Sequence, residues 1–268
     1  TVDSFGDEWH HFDQSQLSDE ESLEIFKKYF SIFSFKGITK ESEGFDVGCG
    51  TGRWARWIAP KVKTLNCIDP SSAINIAKKN LKEFSNINFY NESINSCAIN
   101  KNSQDFGYSL GVLHHVPNTK KALKACVGFL KPGAPFLLYL YYAFDNRPLW
   151  FKFIWKFQDI LRIIISRFPS GIKKLICNII AIVIYLPLSR FSQILEKLNI
   201  SIKNIPLSFY RNKSLYTMMT DSRDRFGTPL EKRFTKKEIK EMMESSGFGD
   251  VIFSSEEPFW CAIGYKIK

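Results

Sequence analysis

The stretch Asp46-Val47-Gly48-Cys49-Gly50-Thr51-Gly52 constrains this chain more than any other. Gly44-Phe45 before it reads as the tail of a strand, and Arg53–Ala59 after it reads as the first turns of a helix. Three glycines at alternate positions let the backbone turn sharply and let another molecule approach it closely. A second apolar stretch, Leu65–Ile68, ends at Asp69. A carboxylate at the end of the next strand can accept hydrogen bonds from the two hydroxyls of a ribose.

From Phe45 onward the chain alternates strand and helix. Strands are expected near 44–48, 64–69, 87–91, 105–111 and 134–142, and helices near 52–59, 71–84 and 118–130. Such alternation implies a parallel sheet with helices on both faces. Ahead of it, Ser18 and Glu21 have capping-box spacing, and Leu23, Phe26, Phe30 and Phe33 recur at helical spacing, so a helix over 18–34 is expected to pack on the core. The alternation breaks at 146–205, where long apolar runs of helical length carry no strand pattern. It returns at Thr235-Lys236-Lys237-Glu238, a second capping box, which opens a helix stopping at Gly247. Val251–Phe253 and Trp260–Tyr265 read as two final strands.

Three details favour S-adenosylmethionine over a dinucleotide as ligand of the glycine loop. The loop is G-x-G-x-G rather than the G-x-G-x-x-G that seats a pyrophosphate on a helix N-terminus. Asp46 precedes it, and a carboxylate there repels a diphosphate but suits an ammonium. Downstream come Gly111-Val112-Leu113-His114-His115-Val116-Pro117 and Phe129-Leu130-Lys131-Pro132-Gly133. These residues resemble the class I S-adenosylmethionine-dependent methyltransferases, in the branch of ubiquinone/menaquinone-type and small-molecule enzymes. The resemblance covers residues 44–142 by motif and the last thirty-odd by pattern. It implies a Rossmann-like α/β fold: a seven-stranded, mostly parallel sheet whose last strands are antiparallel. On that layout residues 1–36 form an N-terminal lid and helix, 37–145 the cofactor-binding core, 146–220 a helical insertion after strand five that caps the substrate, and 221–268 the part completing the sheet.

The resemblance also assigns roles. Asp46, Gly48, Gly50 and Gly52 would meet the methionine and ribose portions of the cofactor, and Asp69 the ribose hydroxyls, with Pro70 beside the adenine. Glu92 and Ser93 would lie at the adenine edge, with Glu92 standing where a relative carries Asp. Leu110 and Gly111 would face the methionine ammonium. Relatives begin with a Phe-Gly-x-x-Trp segment that folds over the cofactor, which places Trp9 of Phe5–Phe12 in the cofactor site; aromatic rings suit a sulfonium through cation–π attraction. His114 and His115 follow strand four at the carboxyl edge of the sheet, where ligands bind, and an imidazole there is suited to general-base work. Relatives with Glu-x-x-Glu-His in this loop hold a divalent metal. Gly111 and His114 replace both acids here, so no catalytic metal is expected, since hard cations want carboxylate oxygens. For substrate, Tyr141 and Tyr142 at the end of strand five, with Tyr210, Arg211, Tyr216 and Arg223 beyond the insertion, offer hydroxyls and guanidiniums for a hydroxylated or anionic molecule.

Composition narrows the class. Six cysteines at 49, 67, 97, 126, 177 and 261 include no Cys-x-x-Cys pair, which reads as buried thiols in a reducing compartment, and no signal peptide is apparent, so a cytoplasmic protein is expected. The net charge of +10 invites a nucleic-acid reading. Dispersed lysines at i, i+3/i+4 spacing and the lack of an aromatic RNA-binding motif argue against it. The run Leu175–Leu186 is a dozen residues of near-unbroken apolarity, shorter than the roughly 20 that span a bilayer. Residues 146–205 are therefore expected to be covered by the core or by a second subunit, making a homodimer through the insertion. Interspersed Lys152, Lys156, Arg162, Lys173 and Lys174 leave peripheral membrane contact as the rival. The expected function is S-adenosylmethionine-dependent O- or N-methylation of a small molecule, with a sugar-like metabolite as the candidate substrate. A membrane-associated lipid or quinone methyltransferase is the alternative, ahead of an RNA methyltransferase or a non-catalytic cofactor-binding protein.

Overall fold

The computed structural model describes residues 17–267. The chain divides into two compact units. Among the described residues the sheet unit comprises 22–143 and 230–267, and the helical unit 144–229 with 17–21.

The sheet unit holds seven strands: β1 (Glu43–Val47), β2 (Thr64–Ile68), β3 (Ile87–Tyr90), β4 (Phe106–Leu110), β5 (Pro135–Tyr139), β6 (Phe248–Phe253) and β7 (Cys261–Lys266). Their order is β3-β2-β1-β4-β5-β7-β6. The first five are parallel, and β7 runs antiparallel to both β5 and β6. This is the Rossmann-like sheet expected from the alternation and the family pattern. The order reverses between β1 and β4, and the carboxyl ends at such a switch point form the natural ligand crevice of an open α/β sheet.

Strand alternation gives each face its core. Phe45 and Val47 pack to one side with Ile68, Phe136 and Leu138. On the other side Cys67, Tyr108 and Leu110 meet Ile25, Phe26, Phe30 and Phe33, the aromatic stripe of α1 (Asp19–Tyr29) and the turn after it. β1 and β4 pair glycine against phenylalanine twice, Gly44 with Phe106 and Phe45 with Gly107. A Cβ on Gly44 would lie 2.2 Å from the Phe106 ring, and one on Gly107 2.4 Å from the Phe45 ring. Each ring thus fills the space that its partner's missing side chain leaves.

The helices of this unit are shorter than their patterns suggested. α2 covers only Ala55–Ile58, followed by a 3-10 turn at Ala59–Lys61 whose Pro60 lacks the N–H a longer helix needs. α3 is Ala73–Asn80 and α4 is Thr119–Phe129, capped by Asn118, whose side chain accepts from Lys121 N. α9 (Lys236–Glu244) starts with the complete Thr235–Glu238 capping box. The Ser18–Glu21 box is half made. Ser18 Oγ accepts from Glu21 N, but the Glu21 carboxylate accepts from Ser214 N and Thr217 Oγ1 instead of turning back.

The helical unit contains α5 (Leu149–Ile165), α6 (Ser170–Ile180), a π-helical turn (Ala181–Tyr185), α7 (Leu186–Lys197) and α8 (Leu215–Gly227). α6, the π turn and α7 form one continuous helical stretch of 28 residues, Ser170–Lys197. This corrects the reading of Leu175–Leu186 as a short apolar element, because the apolar run is the middle of a helix long and apolar enough to cross a bilayer. The unit's core is small: Ile165, Cys177, Ala181, Tyr185, Tyr210, Met218 and Phe226. Buried arginines brace it. Arg162 donates to the Thr228 and Pro229 carbonyls at 3.0 and 2.7 Å, and Arg223 to the Ser170 carbonyl at 3.0 Å.

Candidate functional site

The loop after β1 is fixed from β2. Gly48 N and Cys49 N both donate to Ile68 O, at 2.7 and 3.2 Å, and Gly52 N closes a turn onto Cys49 O at 2.8 Å. Gly48, Gly50 and Gly52 have φ of +74°, +54° and +83°, the left-handed region that side chains resist. Space is closed as well: a Cβ on Gly48 would lie 2.4 Å from Val112, and one on Gly52 2.4 Å from Leu81. Gly111, after β4, also has positive φ (+79°), but nothing lies within 4 Å of its absent Cβ, so the end of β4 is open on that side.

Asp69 joins the β1 and β2 ends. Its Oδ2 accepts from Gly50 N at 2.9 Å, and its Oδ1 from Ser71 N and Ser71 Oγ at 2.8 and 2.6 Å. Asn91 Nδ2 then donates to the Asp69 and Ser71 carbonyls, tying in the end of β3. A carboxylate has about four lone-pair sites, so a pre-set Asp69 keeps capacity for a further donor. Pro70, Glu92 and Ser93 are exposed beside it.

Asp46 is the anomaly of the site. It is fully buried, and among the described residues its carboxylate meets no side-chain donor beyond the nearby Tyr108 hydroxyl. Burial pushes its carboxyl well above the usual range; Tyr108, its register partner on β4, opposes the shift, and the Asp69 charge adds to it. Cys49 stays a neutral thiol, its pKa raised by hydrogen bonding to Cys67 and by burial. A buried acid so sparsely supplied with donors is costly and marks a place where a cationic ligand would be welcome.

The two histidines sit past the end of β4. His114 is wholly buried, stacked on Tyr141 with centroids 3.9 Å apart and planes 25° apart, and lies 3.9 Å from the His115 ring. Burial, with His115 and Arg233 nearby, holds its imidazole well below the usual range, so it is neutral at physiological pH. His115 Nδ1 lies 2.6 Å from the Leu230 carbonyl. A carbonyl can only accept, which assigns the proton to Nδ1 and leaves the lone pair on Nε2. Arg233 sits 5.2 Å over the Tyr141 ring, pairs with Glu231 at 2.8 Å and donates to the Tyr142 carbonyl at 3.3 Å. Both side chains of that ion pair are almost completely buried.

The sequence profile of the family described as "Methyltransferase domain" matches residues 45–138, which hold the loop, both aspartates and both histidines. Over those residues the chain is similar to the methyltransferase domain. Solved structures share its fold at low identity. A protein provisionally named a methyltransferase from Bacillus halodurans superposes with a TM-score of 0.53 at 13% identity, over 85% of this chain and 71% of its own. A provisionally named O-methyltransferase from Nostoc punctiforme gives 0.54 at 12%, over 96% and 60%. A methyltransferase from Thermotoga maritima, provisionally named a histamine N-methyltransferase, gives 0.50 at 14%, over 97% and 100%. No curated protein matches the chain in sequence.

Within the sheet unit the structure gathers Asp46, the three loop glycines, Asp69, Leu110 and Gly111 at the ends of β1, β2 and β4, and His114, His115, Tyr141 and Tyr142 past the ends of β4 and β5. Sequence reasoning missed Ser71, Asn91, Glu231 and Arg233. The last two lie in the connector just before the Thr235 cap, where a Glu-Lys-Arg run reads as a solvated turn. The other expected contacts lie in the helical unit. Tyr210 is buried against Tyr185 at 5.2 Å, Arg211 pairs with Glu196 at 2.7 Å, the Tyr216 carbonyl accepts from Thr220, and Arg223 holds Ser170. Those bonds hold the unit together, and the four residues are not carried into the function proposed below. Trp9 lies outside the described residues.

Proposed function

We propose that this protein transfers a methyl group from S-adenosylmethionine to an oxygen or nitrogen of a small molecule. The observation that carries the reading is Asp46: a fully buried acid next to Tyr108, beside a glycine loop and a carboxylate pre-set by Gly50 and Ser71. The donor set fits the cofactor. Asp46 and the backbone at Leu110–Gly111 would take its ammonium, Asp69 its ribose hydroxyls, the backbone of Gly48, Gly50 and Gly52 its close approach, and Pro70, Glu92 and Ser93 its adenine edge. When bound, the cofactor supplies a methyl on a positively charged sulfur, open to in-line attack.

The protein's task is then positioning and proton removal. A hydroxyl acceptor would give its proton to His115 Nε2, while the carbonyl of Leu230 keeps Nδ1 protonated and the ring in place. His114 stays neutral and stacked, which suits it to orient rather than to hold a proton. Tyr141 and Tyr142, backed by the buried Arg233–Glu231 pair, would line the acceptor side and favour a polar, sugar-like molecule. A lipid or quinone acceptor is the second reading, favoured by the exposed apolar side chains of α5–α7.

Calorimetry tests the cofactor assignment. S-adenosylhomocysteine should bind in the micromolar range or tighter, on the order of −8 kcal/mol. Asp69→Ala should weaken binding by roughly 1.5–3 kcal/mol through lost charge-assisted hydrogen bonds. Tight NAD binding without S-adenosylhomocysteine binding would overturn the assignment. Transfer from labelled cofactor to water-soluble or amphiphilic acceptors separates the two readings of substrate.

A further inference from the structure

The helical unit presents apolar side chains to solvent along whole helices. Among the described residues 21 large hydrophobics are exposed, and 19 of them fall between Leu149 and Ile200. On α5 the most exposed are Leu149, Phe153, Phe157, Ile160 and Ile164, at 73, 70, 63, 58 and 51%. Their steps of four, four, three and four residues put them on one face. Along Ser170–Lys197 and its cap, Leu175, Ile179, Val183, Phe191, Ile194 and Leu198 are 50–64% exposed and recur with the same period. The opposite face of that helix is packed on protein: Cys177, Ala181, Tyr185, Ser189 and Ser192 are buried, with Ser222 Oγ of α8 on the Cys177 carbonyl. A patch of this extent has a partner in a soluble protein.

Charge identifies the partner. Residues 144–229 contain 14 Lys and Arg against 5 Asp and Glu, a net of +9, so the unit holds nearly all of the chain's +10. Between Ile160 and Leu195 there are five basic residues and no acidic one. Lys156 and Arg167 are exposed beside the apolar stripes. A second copy of the chain would set +9 against +9, with no carboxylate between 160 and 195 to pair the basic groups. A spanning helix would take α8 into the hydrocarbon with it, together with Asp221, Arg223, Asp224 and Arg225. Arg162, Lys173, Lys213 and Arg223 are buried, and an anionic lipid surface meets what remains: acyl chains for the stripes and headgroup charge for exposed basic residues such as Lys156 and Arg167.

We propose that α5 and the helix Ser170–Lys197 dock this protein on the surface of an anionic lipid bilayer, lying in the interface rather than crossing it. The polar side that an interfacial helix needs is supplied by the protein packed behind it, which the apolar run alone could not show. The inference is independent of the reaction and of the cofactor.

Vesicle co-sedimentation of the full chain tests it, with phosphatidylcholine vesicles against vesicles containing phosphatidylglycerol at about 0.15 M salt. Binding should require the anionic lipid and fall as salt rises. Each basic residue near such a surface contributes about fivefold in partitioning, so Lys156→Glu with Arg167→Glu should lower it at least about 25-fold. Phe153→Ser with Phe157→Ser should release the protein while leaving its circular dichroism and S-adenosylhomocysteine binding unchanged; both residues are exposed, so folding is not at risk. Equal binding to neutral vesicles, or no binding to anionic ones, overturns the proposal. So does a dimer in solution that the Phe153/Phe157 variant dissociates, since a second copy would then cover the face. Protein that stays with the vesicles after an alkaline wash would show a span and overturn interfacial docking.

Discussion

In the sheet unit two large apolar side chains among the described residues are exposed, Ile252 and Ile267; in the helical unit 19 are. Phe45, Phe106 and Phe136 on the strands sit at 0% exposure, while Phe153 and Phe157 stand 70 and 63% exposed on a helix. Charge divides the same way. Outside residues 144–229 the sequence has 23 basic against 22 acidic residues, a net of +1 against +9 within. The difference teaches that periodicity names an element and its apolar face, but not what covers that face. A strand's apolar face is covered by its own chain, because sheet pairing and crossover helices leave it nowhere else to go. A helix on the edge of a small core has that choice open.

The largest expected effect tests how little slack the sheet unit has. Gly48→Val puts a β-branched residue at φ +74° and a Cβ 2.4 Å from Val112. Left-handed strain and overpacking together should cost about 3–5 kcal/mol in chemical denaturation and abolish S-adenosylhomocysteine binding. A loss under about 1 kcal/mol would show the loop to be as yielding as the exposed helix faces, and the contrast between the units would fail.

Arg223→Met probes the other side at intermediate size. It removes a buried guanidinium that donates to the Ser170 carbonyl and to Ser170 Oγ. Leaving a buried carbonyl short of its donor should cost about 2–3 kcal/mol. S-adenosylhomocysteine affinity should change by less than about twofold, because none of the proposed cofactor contacts lies in the helical unit. A tenfold loss of affinity would show the two units to be coupled and would return Arg223 to the site.

What could be read in the sequence was what is local. The glycine loop, Asp69 and the Thr235–Glu238 box each act over a few residues, so spacing alone revealed them. The sheet followed because its strands alternate with helices over short connections. Long-range partners stayed hidden. The Glu21 carboxylate goes to Thr217, 196 residues away, so a half-made cap looked like a whole one. His115 is oriented by a carbonyl 115 residues downstream, and nothing in the sequence marked the Arg233–Glu231 pair that stands behind Tyr141. The exposed stripes were hidden for the opposite reason: apolar residues were expected to find cover, and helix phase shows which residues share a face but not whether anything sits against it.

The smallest expected effect concerns Asp46, an acid buried inside the sheet unit. Burial raises its folded pKa above the ordinary value of 3.8. Below pH 3.8 folded and unfolded chains are both protonated and the residue is neutral in the balance. As pH rises past 3.8 the unfolded chain ionises freely while the fold must keep the proton or bear a buried charge, so stability falls until the folded carboxyl ionises too. Asp46→Asn mimics the neutral acid. It should therefore raise the stability of the ligand-free protein at neutral pH by about 1 kcal/mol, or roughly 2–4 °C in Tm, with the gain vanishing below pH 3.8. Ligand binding should move the other way. An ammonium wants the carboxylate, so the variant should bind S-adenosylhomocysteine more weakly. Binding to the wild-type protein should release a proton, seen as a calorimetric enthalpy that changes with buffer ionisation enthalpy. If Asp46→Asn lowers Tm at neutral pH, the carboxylate is already ionised and partnered in the free protein, and the buried acid is a structural strut rather than a receptor for the cofactor's charge.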